Sequence, residues 1–255
     1  MTSLITKNFS LHATTIPEQT EGMHVHRLCN LVYVDCGLSC DTFNIIHITN
    51  GVQLKEAELA EALEHYRQKN FSYCIWISDE NLTEHTFALL RLAGVTHQHS
   101  ERGMVLELAS YRPAVNELHH SIREIKETQE FKDYASVIAA NWNPPDQHVV
   151  SYFSSGGQHL LNKSNNITSL AFYENRRPIS VLEMFPSDHE TTGIYGLATL
   201  ENVRGRGIGS AMMTYALNRA KWMGYKYVVL QASEDGFRIY EKLGFDVVTT
   251  YHEYA

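Results

Sequence analysis

The chain has 255 residues, 44% of them hydrophobic and 20% charged, with 15 Gly and 6 Pro, a composition that folds around one or two hydrophobic cores and excludes disordered and collagen-like classes. Its formal net charge of −8 argues against unassisted binding to nucleic-acid phosphates or to an anionic membrane surface, and no apolar run approaches the ~20 residues that span a bilayer. Met1 to Ala13 lacks the basic-then-apolar pattern of a secretion signal; the four cysteines, Cys29, Cys36, Cys40 and Cys74, are therefore expected as reduced residues of a cytoplasmic protein.

After an unassigned opening, hydrophobic alternation predicts strands at 31–34 and 43–48. An acidic amphipathic helix follows over 54–67, then a strand over 73–77, a helix over 82–92, and two strands near 95–99 and 104–108. Pro113 cannot donate to a sheet ladder and marks the exit from the last of these, so the chain divides there into residues 1–113 and 114–255. The second half opens with a short strand at 121–125 and two helices, 131–141 and 146–161, the latter started by Pro144 and Pro145. A meander comes next: strands at 167–173 and 179–185 around the turn Glu174, Asn175, Arg176, Arg177, and a third at 193–200. A helix over 208–223 carries one apolar stripe, Ile208, Met212, Ala216 and Ala220, and ends at Gly224. A strand at 227–230, a short helix at 236–242 and a closing strand at 245–254 complete a mixed α/β architecture.

The most informative segment is Arg204, Gly205, Arg206, Gly207, Ile208, Gly209, set between a strand and a helix. Glycines let backbone approach a ligand closely, and the free N–H groups at a helix start favour an anion. At ~1.5 to 3 kcal/mol per charge-assisted bond, four or five such donors hold a diphosphate with micromolar affinity once association costs are met. A dinucleotide fingerprint is excluded because its last glycine position is Ser210 and the next strand closes on Gln231 rather than an acidic residue; a Walker loop is excluded because no Gly-Lys-Ser/Thr follows.

The spacing Arg204-x-x-Gly207-x-Gly209 instead resembles the acetyl-CoA signature of the GNAT N-acetyltransferase superfamily. Downstream, Leu230, Gln231, Ala232, Ser233, Gly236, Tyr240, Leu243, Gly244 and Phe245 resemble its second signature block. The resemblance spans about residues 117–254. It implies two GNAT-like α/β (α+β) domains, each a mixed, mostly antiparallel sheet flanked by helices, the first of them degenerate. It also implies acetyl-CoA as cosubstrate. Leu197, Ala198 and Thr199 would pair through their backbone with the pantetheine arm. Arg204, Gly205, Arg206, Gly207, Gly209 and Ser210 would hold the diphosphate, Ser233 and Gly236 would lie beside the thioester, and Tyr240 would stand near the departing sulfur. A thiol has a pKa of about 8.5 and a phenol about 10, so such a tyrosine supplies a hydrogen bond or proton as thiolate develops.

Transfer to an amine also needs a base, because an amine of pKa about 10.4 costs ~4.6 kcal/mol to deprotonate at neutral pH. The strand at 193–200 contains no carboxylate or histidine. Glu183 is the first candidate, since alternation sets it on one face with Ile179, Val181 and Phe185, where an unpaired carboxylate is expensive; Tyr195 and His189 are weaker ones. The acceptor is a small-molecule or peptide amine, and the alternative to an enzyme is a CoA-binding sensor or scaffold without turnover.

The order strand, helix, strand, helix, strand, strand from residue 43 to 108 parallels the order from residue 193 onward, with Ala93, Gly94, Val95 where Leu243, Gly244, Phe245 stand. The first half therefore reads as a degenerate copy that lacks the glycine cradle and helps shape the acceptor pocket. His24, His26, Cys29, Cys36 and Cys40 lack a Cys-x-x-Cys pair, so no metal is expected, and Arg176 and Arg177 read as a solvated hairpin tip.

Overall fold

A computed structural model describes residues 1–255. The elements run α1 (Thr2–Thr15), β1 (His24–Arg27), β2 (Leu31–Asp35), β3 (Ile45–Ile48), α2 (Glu56–Lys69), β4 (Cys74–Ser78), α3 (Glu84–Leu92) and β5 (His97–Glu107) in the first half. The second half holds β6 (Ile122–Glu124), α4 (Glu130–Ala139), α5 (Gln147–Leu160), β7 (Thr168–Glu174), β8 (Arg177–Pro186), β9 (Thr191–Thr199), α6 (Ile208–Trp222), β10 (Tyr227–Ala232), α7 (Glu234–Lys242) and β11 (Asp246–Tyr254). No helix is long and apolar enough to cross a membrane.

All eleven strands form one sheet in the order β1-β2-β3-β4-β11-β5-β10-β9-β8-β7-β6. Pairing is parallel only between β3 and β4 and between β9 and β10. The two halves repeat one unit, β3-α2-β4-α3-β5 and β9-α6-β10-α7-β11, and their last strands are exchanged. β11 of the second half lies against β4 of the first, β5 of the first lies against β10 of the second, and the two exchanged strands pair with each other at the centre. The sheet is thus continuous across Pro113, and each half completes the other.

Alternation assigns the two faces. Val228 and Leu230 pack with α6 while Val229 turns to α1; Met104 and Leu106 follow the first pattern and Val105 the second. One face carries α6 and α7 under the second half and α2 and α3 under the first. The other carries α1, α4 and α5. Ile179 departs from the face expected for it. β8 is bulged at this point, since Phe172 pairs with Ser180 but Tyr173 with Pro178 and Ile179 is left without an opposite residue, so Ile179 packs with Leu182 and Met184 while Val181 and Phe185 face α4 and α5.

Two elements and one boundary differ from the sequence reading. The opening residues form α1, whose Ile5, Phe9 and Ala13 follow one another at i, i+4 and i+8 and are buried against the sheet. The short edge strand β1 precedes β2. The two strands expected at 95–99 and 104–108 are replaced by the single eleven-residue β5, His97–Glu107: its polar first half is held by β11, which pairs from Val105 through to His97. The hairpin at Asn175 and Arg176 has positive φ at both residues, 51° and 65°, as the tight turn between two twisted strands demands.

Candidate active site

β9 and β10 are paired only from Thr191–Gly193 to Tyr227–Val229. Beyond that point β9 stays with β8 and β10 with β5, so the two parallel strands part and leave a wedge between them. β9 bulges where it parts. Val181 is opposite Ala198 and Glu183 opposite Tyr195, leaving Gly196 and Leu197 to share one place, and Gly196 accommodates the bulge with φ of 59°. The wedge opens into a cleft of about 920 Å³ lined by Leu197, Ala198 and Thr199 on one side and by Ser233, Gly236 and Tyr240 on the other.

The same cleft is floored by the loop before α6, with Arg204, Gly205, Gly207, Gly209 and Ser210 among its walls. Gly205 and Gly207 have φ of 78° and 77°, and a Cβ built on either meets no atom within 4 Å. The positive φ explains the glycines, and the empty surroundings leave their backbone facing open space. The amides of Gly205, Arg206 and Gly207 make no hydrogen bond within the protein. Gly207 caps α6 without a side chain, so the first amides of that helix are also free. Unpaired amides at a helix start, with the helix dipole behind them, are suited to an anion. Arg204 is tied down by its Nε donating to the Thr199 carbonyl at 3.0 Å and its guanidinium to Asn141 Oδ1 at 3.0 Å. The Arg206 side chain turns aside to Glu174, 2.5 Å away, and does not line the cleft. Ser233 caps α7, accepting from the Gly236 amide.

The equivalent turn of the first half is closed. A Cβ on Gly51, between β3 and α2, would lie 1.8 Å from the Asn81 carbonyl oxygen; the Gly51 amide donates to Asn81 Oδ1 and its carbonyl accepts from Thr86 Oγ1. The chain fills its own cradle there.

A second cavity, of about 360 Å³, lies beneath α1 between the halves. Tyr240, Ser233, Leu197 and Glu101 line both this cavity and the cofactor-sized cleft, which places them where the two meet. Tyr240 is buried, packs edge-on to Phe245 and lies over Gly236, where any Cβ would come within 2.9 Å of its ring. Burial, with the Glu101 charge adding to it, pushes its phenol well above the ordinary range. Glu183 is 5% exposed and its Oε1 accepts from His12 Nε2 at 3.1 Å. The His12 ring is stacked on Tyr195 with centroids 3.6 Å apart. Tyr195 in turn donates to Asn8 Oδ1 at 2.6 Å, and Asn8 donates to the Phe185 carbonyl at 3.1 Å. Gly193 permits this approach of α1, because a Cβ there would stand 2.0 Å from Asn8 Oδ1.

Two site residues escaped sequence reading. His12 belongs to α1, and its signal was the Ile5-Phe9-Ala13 stripe beside it. Glu101 lies in a polar stretch that resembles a turn. It has no hydrogen bond or ion pair, although His99 and Glu253 are close by, and burial pushes its carboxyl up to about 7. His189 is a surface residue beside Glu190, and Arg176 and Arg177 are exposed at the hairpin. Cys36 and Cys40 are buried beneath α4 and α5, and Cys29 is exposed; all four cysteines are unpaired.

A duplicated α/β unit with parted parallel strands, a bulge and a glycine-rich loop between them defines the class of fold. Residues 120–245 match the model of the Acetyltransferase (GNAT) family, which makes the second half of the chain a GNAT domain. No curated protein sequence matches the chain. Among solved structures, it is similar to a GCN5-related N-acetyltransferase from Kribbella flavida, 16% identical with a TM-score of 0.70 over 98% of this chain and 95% of that one. A tandem GNAT protein from the clavulanic acid biosynthesis pathway is 10% identical with a TM-score of 0.61, over 95% and 86%. A GCN5-related N-acetyltransferase from Sphaerobacter thermophilus is 13% identical with a TM-score of 0.60, over 88% and 79%. At these identities the likeness is one of fold, and it extends over both halves.

Proposed function

We propose that the protein transfers an acetyl group from acetyl-CoA to a primary amine. The observation that carries this reading is the junction of two cavities at Tyr240: one floored by free amides suited to a diphosphate, the other deep and enclosed by both halves. The residues fit acetyl-CoA, since the open glycines leave room that any side chain would fill. When bound, it supplies the activated thioester carbonyl. Leu197, Ala198 and Thr199 offer the backbone of β9 to its arm, and the loop from Arg204 to Ser210 holds its phosphates.

In the reaction the amine nitrogen bonds to the acetyl carbon as the carbon–sulfur bond breaks, the amine loses a proton, and the sulfur leaves as thiolate and takes a proton from water. Glu183, held by His12, takes the proton from the amine. Tyr240 stays protonated, because burial opposes its phenolate. Its raised pKa makes full proton transfer to a thiolate of about 8.5 uphill, which supports hydrogen-bond donation to sulfur as charge develops. Four unpaired cysteines suit a cytoplasmic setting.

The test is thiol release from acetyl-CoA with a panel of amines, in wild type and Glu183→Gln. Turnover in the wild type, with kcat lowered and its pH profile displaced in the variant, is expected. Binding of acetyl-CoA without thiol release for any amine contradicts transfer and favours a sensor; unchanged kinetics in Glu183→Gln remove that residue from the mechanism.

A further inference from the structure

The cavity beneath α1 is specific in its lining. Phe9, Phe43, Trp76, Tyr134, Tyr152 and Phe153 come from α1, from the connection before β3, from β4, and from α4 and α5, so both halves supply its aromatic wall. No lysine or arginine lines it. Two carboxylates do, and they are not equivalent. Glu183 is satisfied by His12. Glu101 has no hydrogen-bond or ion-pair partner, and it stands at the inner end, where the cavity meets the cleft beside Tyr240 and Ser233. A half-buried carboxylate without a partner keeps only part of its hydration, and a cation arriving beside it supplies the missing charge. The same site repels an anion and offers an amino sugar few partners for its hydroxyls.

Resting on the acetyl-transfer reading, we propose that the acceptor is a primary amine with an aromatic or otherwise apolar body and no anionic group, and that its ammonium is received by Glu101, which the first half delivers to the second half's active site on the exchanged strand β5. Glu101 is a specificity-determining residue here. The volume, about 360 Å³, accommodates a body the size of one or two rings and sits at the small end of ligand pockets. The burial that pushes the Glu101 carboxyl up to about 7 is the electrostatic counterpart of its missing partner, and an ammonium placed there would lower it again. Strand exchange acquires a consequence in this arrangement: the half that has lost its own cradle supplies the group that recognises the acceptor.

The experiment measures acetyl-CoA binding by calorimetry and, separately, thiol release with 2-phenylethylamine, hexylamine, phenylalanine, spermidine and glucosamine, in wild type, Glu101→Gln and Glu101→Asp. In wild type, 2-phenylethylamine and hexylamine are expected to exceed the other three in kcat/KM by tenfold or more, with phenylalanine, which adds only a carboxylate to the favoured body, among the poorest. Glu101→Gln should raise KM for 2-phenylethylamine at least tenfold and narrow its advantage over phenylalanine, and Glu101→Asp should restore part of both. A general loss of structure would not change the ratio between two substrates of one enzyme. If acetyl-CoA binds and spermidine, glucosamine or phenylalanine is the best acceptor, or if Glu101→Gln leaves the ratio unchanged, this proposal is overturned while acetyl transfer stands. If acetyl-CoA does not bind, the underlying reading has failed instead.

Discussion

Replacing Glu101 by glutamine should make the protein more stable at alkaline pH and leave it nearly unchanged in acid. The Glu101 carboxyl is pushed by burial from its ordinary 4.5 up to about 7, so the folded chain holds a proton that the unfolded chain has already released. Stability therefore falls as pH rises from 4.5 to about 7, and the penalty is complete above that range. At 1.36 kcal/mol per pH unit, the gap corresponds to about 3 kcal/mol at pH 8. Glu253 works in the same direction, being pushed up to about 7 by burial and further by the Glu101 charge, against the opposing hydrogen bond from Cys74. Glutamine at 101 removes the first penalty and relieves the second. Urea unfolding followed by circular dichroism at pH 4.5 and pH 8 measures the difference. The expected result is a gain that grows by about 3 kcal/mol between the two conditions. An equal difference at both, or a Glu101→Gln protein less stable at pH 8 than the wild type, would refute the view of Glu101 as a partly desolvated group without a partner.

Three further substitutions test the glycine loop, its closed counterpart in the first half, and Tyr240. Gly207→Ala puts a side chain on a left-handed backbone at a cost of about 1–2 kcal/mol; the open loop can relax out of that conformation when free and must return to it to bind, so acetyl-CoA affinity should fall roughly tenfold by calorimetry. Gly51→Ala, whose Cβ would collide with the Asn81 carbonyl oxygen, should instead lower the unfolding midpoint and leave the affinity of the folded protein intact. Tyr240→Phe keeps the ring against Gly236 and Phe245 while removing the donor; kcat should drop about 10- to 100-fold with acetyl-CoA affinity unchanged, as steady-state kinetics and calorimetry would show.

The parts of the site legible in the sequence are those fixed by local chemistry. Gly205 and Gly207 are needed by their own φ, and the loop they make opens a helix whose apolar stripe is unmistakable, so the cradle could be placed from spacing alone. The hairpin at Asn175 and the helix of Tyr240 follow for similar reasons. What was hidden depends on partners distant in the chain. α1 is rich in Ser, Thr, Asn and His, which weaken helix patterning, and its Asn8 and His12 are polar because they bond β8 and Glu183 rather than water. Strand exchange leaves no mark in either sequence segment, since β5 and β11 each satisfy an antiparallel edge and only the sheet as a whole decides which. For that reason Glu101, in the polar run that divides β5 into two apparent strands, carries no local sign that it lines a cavity.

The central claim is that the amides from Gly205 to Ser210 hold the diphosphate of coenzyme A, and titration calorimetry of the full chain with coenzyme A and with acetyl-CoA examines it directly. Micromolar binding of both ligands, weakened in Gly207→Ala, is the predicted result. No heat from either ligand at millimolar concentration, with the protein shown to be folded by circular dichroism, would contradict it.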